Sequence, residues 1–138
     1  MYYEATLSLD RMQANGSSKR VTEKYIVDAL TVSEAEARIN SELKPLTDGD
    51  FQVTSVKKTK ISEIFNLDSE FFYLVKCGFI QLDEKSGTEK RAISEFLVGS
   101  SGFDDAVKVF KNNMKDTVSD YEIVSVAETA ILEVFPIK

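Results

Sequence analysis

The sequence predicts an α+β fold made of two ββαβ units, antiparallel sheets each covered by one helix in a pseudo-twofold arrangement. Three observations carry this expectation. Polar and apolar residues alternate with period two in paired stretches. A single apolar stripe at helical spacing follows each pair. The whole order then occurs a second time within the chain.

In the first half, Tyr3, Ala5, Leu7 and Leu9 alternate with Glu4, Thr6 and Ser8, the pattern of a half-buried strand. Asn15-Gly16-Ser17-Ser18 signals a turn, and Val21 to Ala29 returns as the second strand of a hairpin. Ser33-Glu34-Ala35-Glu36 reads as a capping box, in which hydroxyl and carboxylate satisfy free amides at a helix start. A helix is therefore expected over 33–46, with Ala35, Ile39, Leu43 and Leu46 on its apolar stripe and Glu34, Glu36, Arg38 and Glu42 outside it. Pro45 and Thr47-Asp48-Gly49-Asp50 end that helix. Phe51 to Ile64 is one long extended segment rich in Val, Thr and Ile.

The second half repeats the order. Phe71 to Leu82 is a strand, Glu84-Lys85-Ser86-Gly87 a turn, and Lys90 to Val98 the returning strand. A helix is expected over 103–117 with Phe103, Ala106, Val107, Phe110 and Met114 on one face, and a closing strand over Tyr121 to Phe135. Arg20–Val27 lies over Arg91–Val98, with Gly16 on Gly87, Lys19 on Lys90 and Ala35 on Ala106. Further on, Ser55–Phe65 lies over Ser125–Phe135 with six identities in eleven positions. This reads as an internal duplication: residues 1–138 form a single domain of two repeats, 1–65 and 71–138, joined by Asn66-Leu67-Asp68-Ser69-Glu70. A three-stranded sheet with one helix is marginal alone, so the halves are expected to pack as a pseudo-dimer.

The chain has 138 residues, 43% hydrophobic and 29% charged, the profile of an ordinary folded domain. Histidine is absent, which removes it as general base, as metal ligand and as part of a Ser-His or Cys-His pair. The single cysteine, Cys77, supports neither an internal disulfide nor a multi-Cys zinc site. Neither a G-x-G-x-x-G fingerprint nor a P-loop occurs, and the sequence calls for no cofactor and no metal. Seventeen basic residues stand against 23 acidic ones, a net charge of -6, opposite to the usual footprint of a double-stranded DNA binder. No basic region followed by an apolar run opens the chain, and no apolar run is long enough for a membrane helix. The expectation is a cytoplasmic protein with Cys77 reduced and no membrane association.

Several strings resemble one known family. Glu23-Lys24-Tyr25-Ile26-Val27-Asp28-Ala29-Leu30 followed by Ser33-Glu34-Ala35-Glu36-Ala37-Arg38-Ile39 is similar to the family of domains of unknown function numbered 4494, found in gut Bacteroidetes and their phages. Glu63-Ile64-Phe65, the run from Gly78 to Lys90, and Glu128-Thr129-Ala130-Ile131-Leu132-Glu133-Val134-Phe135-Pro136 resemble it too. The chain departs from the family pattern at Phe71-Phe72-Tyr73, where family members carry a Trp and this sequence has none. The resemblance implies a phage or mobile-element setting in a bacterial host and implies no activity.

The candidate functional residues are weighed against plainer roles. Asp48 and Asp50 flank a glycine and suit a turn; Asp104 and Asp105 suit a helix start. Glu63 and Glu133 repeat between apolar neighbours, where period two points them to solvent. Cys77 reads as a small buried hydrophobe. Lys19-Arg20 and Lys90-Arg91 occupy matching places in the two halves and form two related cationic spots suited to phosphates or an acidic partner, although charged hairpin ends also keep strand edges soluble. Lys57, Lys58 and Lys60 form another cluster, matched by Ala127, Glu128 and Ala130. The leading expectation is a non-enzymatic binding or accessory protein with a protein partner, and a homo-oligomer is compatible with the sequence. The alternative is a single-stranded nucleic-acid-binding protein of replication or recombination, using charge and stacking. An enzyme using carboxylates is a third reading.

Overall fold

A computed structural model describes residues 1–47 and 50–137. Its elements are β1 (Tyr2–Met12), β2 (Ser18–Asp28), α1 (Val32–Leu43), a short 3-10 turn (Lys44–Leu46), β3 (Phe51–Lys58), β4 (Ile61–Phe65), β5 (Phe71–Asp83), β6 (Thr88–Ser100), α2 (Phe103–Met114), β7 (Tyr121–Glu128) and β8 (Ile131–Phe135). The class is mixed α+β, with two four-stranded sheets ordered β3-β1-β2-β8 and β4-β6-β5-β7. The chain divides into two compact units: residues 1–59 with 130–138, and residues 60–129.

The hairpins form where alternation places them. β1 and β2 pair antiparallel from Tyr2↔Asp28 to Met12↔Ser18, and β5 and β6 from Phe71↔Ser100 to Asp83↔Thr88. Gly16 and Gly87 in the two turns have φ of 85° and 68°, the left-handed region that glycine enters at little cost.

The long third segments are corrected by the structure. Each expected single strand is two strands, β3 with β4 and β7 with β8, and the second member of each pair lies parallel to a strand of the other sheet. β4 pairs parallel with β6 and β8 with β2, so both sheets are mixed rather than antiparallel. The physical reason is the length of the partner strand. β3 runs antiparallel to β1 and reaches Lys58 opposite Tyr3. Thr59 then donates both its N–H, at 2.9 Å, and its hydroxyl, at 2.8 Å, to the Tyr2 carbonyl. β1 ends there, and the chain beyond Thr59 must find another ladder. Thr129 does the same on the Phe72 carbonyl, at 3.0 and 2.8 Å.

The α1 start is also corrected. Thr31, not Ser33, is the N-cap, its hydroxyl accepting from the Glu34 N–H at 3.1 Å. Thr31-Val32-Ser33-Glu34 has the same spacing as the expected box, two residues earlier. α2 stops at Met114, short of the expected 117; its N-cap is Gly102, with no side-chain cap, and Asp105 in its first turn accepts from the N–H of the preceding Ser101 at 3.2 Å.

Each unit has its own core. In the first, Ala35, Ile39 and Leu43 of α1 pack with Tyr3, Ala5, Leu7, Leu9, Tyr25, Val27 and Phe135. In the second, Ala106, Phe110 and Met114 of α2 pack with Phe65, Tyr73, Val75, Cys77, Phe96 and Val98. Phe110 is the hub of the second, with Phe65, Phe96 and Tyr121 ring centroids 6.1, 5.3 and 6.0 Å away. After β4, Asn66 adopts φ 64° and donates its amide to the Gly99 carbonyl at 3.0 Å. A Cβ on Gly99 would stand 2.0 Å from the Asn66 carbonyl oxygen, so only glycine lets β6 accept this loop.

Phe110→Ala is expected to cost about 3–5 kcal/mol, as for other fully buried phenylalanines. Thr31→Ala should cost about 1 kcal/mol and Ser33→Ala much less, because only the first removes a cap. Urea midpoints of the three variants check both statements.

Candidate functional site

The cations singled out in the sequence divide between the two units. Lys19, Arg20, Lys57 and Lys58 belong to the first, and Lys60, Lys90 and Arg91 to the second. Neighbours on a strand point to opposite faces, so neither Lys19-Arg20 nor Lys90-Arg91 is a single cationic spot. Lys90 joins Asp83 at 3.2 Å, while Arg91 lies on the face away from α2.

The two arginines occupy matching rows. Arg20 on β2 donates through Nε to the Ser8 hydroxyl at 2.8 Å and approaches the Asp10 carboxylate at 3.5 Å. In the second sheet Arg91 bonds Glu122 on β7, passing over β5 at Gly78, the residue opposite Glu122. A Cβ on Gly78 would meet the Arg91 Cδ at 2.5 Å, so the glycine makes the channel in which the arginine stem lies. The row in the first sheet has Ser8 and Gln52 in those places, and Arg20 therefore has no carboxylate across β1. Around the Arg91 row the second sheet exposes Ile80, Leu82, Ile93 and Val124.

A cavity of about 270 Å³ in the second unit is lined by Lys60, Ser62, Lys76, Ile93, Ser94 and Glu95. It brings Lys60 together with Lys76, which sequence reasoning did not select; its only signal was alternation with buried Cys77.

The first unit holds a charged cluster that sequence reasoning also missed. Arg11 forks onto Glu23 through Nε at 3.1 Å and Nη2 at 2.8 Å, and the Tyr25 hydroxyl donates to the same carboxylate at 3.0 Å. These bonds hold the Glu23 carboxyl below its ordinary range. Burial, and then donation to Glu23, push the Tyr25 hydroxyl up to about 12. At the second hairpin end, the Lys90 ammonium and the Lys85 N–H, the latter at 3.1 Å, hold the Asp83 carboxyl down.

The remaining candidates have structural roles. Cys77 is fully buried and burial raises its thiol, the opposite of an activated nucleophile. Glu63 and Glu133 are exposed, as alternation requires. Asp105 lies in the first turn of α2 and accepts from Ser101, and Asp48 lies outside the described residues. Among the described residues no cluster of three or more His, Cys, Asp or Glu is arranged to hold a metal, and no helix is long and apolar enough to cross a membrane.

Gly78→Ala is expected to displace Arg91 and to lower stability, and Gly78→Ala with Arg91→Ala to recover most of that loss; thermal melting of the set decides. Glu23 is favoured ionised by the fold, so the stability it contributes is present above about pH 4.5 and is lost as pH falls through its lowered folded value. Glu23→Gln should flatten that acid slope. Tyr25 is favoured neutral, so its contribution is present below pH 10 and is lost as pH climbs from 10 towards about 12; Tyr25→Phe removes this alkaline arm.

The family model described as domain of unknown function (DUF4494) matches residues 1–137. No curated protein matches the chain. No solved structure matches it either. The chain belongs to the DUF4494 family.

Proposed function

We propose that the chain is a non-enzymatic binding or accessory module whose partner is a protein. One observation carries the reading: the arginines and Lys90 selected as phosphate ligands face carboxylates within their own sheets, while Ile80, Leu82, Ile93 and Val124 stand exposed around the Arg91 row. A charge-balanced face with exposed aliphatic side chains suits a protein surface better than a phosphate backbone. The buried Cys77 thiol and the absence of histidine fit a role without nucleophilic or acid–base chemistry. The reading includes an internal duplication with a pseudo-twofold relation, for which the reciprocal strand orders and the matching Thr59 and Thr129 bonds speak. It also includes a cytoplasmic site of action in a bacterial host, in the phage or mobile-element setting that the family resemblance implies.

The second reading is single-stranded nucleic acid binding, favoured by Lys60 and Lys76 on one cavity with Ser62 and Ser94. Fluorescence anisotropy with a labelled single-stranded oligonucleotide at low salt separates the two. The protein-partner reading expects no saturable binding. Binding that weakens with salt and is lost in Lys60→Glu with Lys76→Glu overturns it.

A further inference from the structure

β3 is an edge strand of the first sheet, and along that edge runs a groove that no residue of the chain fills among those described. A cavity of about 300 Å³ separates β3 from the start of α1, lined by Val32 and Glu36 on the helix and by Val53, Thr54, Ser55 and Val56 on the strand. Val32 is 46% exposed, an aliphatic side chain on the rim. Register skips Thr54, which is bulged and donates its hydroxyl to the Thr6 carbonyl at 3.1 Å. The bulge leaves Ser55–Lys58 as a short straight arm paired to β1 on one side only. An edge strand beside a helix, with a partly apolar groove between them, is the geometry in which an extended peptide adds to a sheet: main-chain bonds to the edge provide affinity, and alternate side chains drop into the groove.

The charge on this edge indicates what would add. The arm ends in Lys57 and Lys58, and among the described residues neither makes an ion pair: Lys58 lies on the groove's face with Val53 and Val56, and Lys57 on the opposite face across from Glu4, whose carboxylate is 3.4 Å from Lys24. Two unpaired cations repel a second copy of the same basic edge and attract a carboxylate. The corresponding places in the second unit differ in each respect. Phe103 and Val107 hold the helix positions of Val32 and Glu36, and Ala127 and Glu128 end the strand where β3 has Lys57 and Lys58. The Phe103 ring packs edge-on against Tyr73 at 6.2 Å.

We propose that the groove between α1 and β3 takes an extended acidic peptide of a partner protein as a fifth strand of the first sheet. The peptide places an aliphatic side chain against Val32, Val53 and Val56, and a carboxylate against Lys58 on the groove's face or against Lys57 on the other face. The proposal rests on the protein-partner reading and adds to it the partner's chemistry and place of docking.

The test uses the full chain and fluorescein-labelled peptides of alternating Val and Thr, carrying two Glu at either end, or two Lys in the same places. Saturable anisotropy is expected for at least one Glu peptide, with affinity about tenfold weaker for its Lys counterpart. Amide shifts should map to Ser55–Lys58 and Val32–Glu36. Lys57→Glu with Lys58→Glu should reverse the charge preference, and Val32→Arg should abolish binding; these side chains are exposed, and unchanged melting confirms the fold. No saturable binding by either Glu peptide, equal binding of Glu and Lys peptides, or self-association of the chain that the same variants abolish overturns the proposal. Shifts confined to the Arg91 row overturn the groove and leave the protein-partner reading standing. Oligonucleotide binding in the preceding experiment overturns that reading itself, so the two failures are distinct.

Discussion

Two threonines determine how the sheets are completed. Thr59 and Thr129 each place an N–H and a hydroxyl on one carbonyl at the start of a central strand, Tyr2 in one sheet and Phe72 in the other. This pair of bonds sits at the end of the β1–β3 and β5–β7 ladders, beside the first residues of β1 and β5. The residues beyond each threonine have no ladder left in their own sheet, and β4 and β8 supply the fourth strand elsewhere. The stacked pairs Tyr25–Phe135 and Phe65–Phe96, at 5.7 and 5.6 Å, are made only because those strands arrive there. Each core therefore includes an aromatic ring delivered by parallel pairing, and the helix stripes of α1 and α2 close on a surface already widened by it.

Local pattern was legible and partnership was not. The alternation from Tyr3 to Leu9, the stripe of Ala35, Ile39 and Leu43, and the burial of Phe110, Met114 and Cys77 follow from period alone, whereas Leu46 and Phe103, expected on the same helix stripes, are exposed. The break after Thr59 carries no glycine or proline, and Lys57-Lys58-Thr59-Lys60 reads as an ordinary exposed stretch of a strand. Its cause lies in where β1 begins, at Tyr2, 57 residues away, which periodicity does not encode. Thr31 and Ser33 each have a glutamate three residues on, so two capping boxes overlapped and the sequence had no means of ranking them.

The site residues show the same division. Lys19, Arg20, Lys90 and Arg91 were visible as charge, but Asp10, Asp83 and Glu122 become the partners of Arg20, Lys90 and Arg91 only through cross-strand register and the space over Gly78. The groove beside β3 was invisible for a related reason. Val32 belongs to a helix pattern and Val53 and Val56 to a strand pattern, and only tertiary packing sets them around one opening. Arg11, Glu23 and Tyr25 were likewise separate until the hairpin brought them onto one face.

The reciprocal strand placement gives the two units different histories during synthesis. The second unit is a continuous stretch, residues 60–129, and every strand of its sheet has left the ribosome once Glu128 has. The first unit is discontinuous: β1, β2, α1 and β3 are made before the second unit, yet the strand that closes its sheet, β8, is translated after it. The second unit is thus complete first, and the β2 edge stays uncovered until β8 has followed it. An uncovered edge is a template for unwanted pairing, and the basic side chains Lys19, Arg20 and Lys24 along β2 are the kind of charge that discourages it.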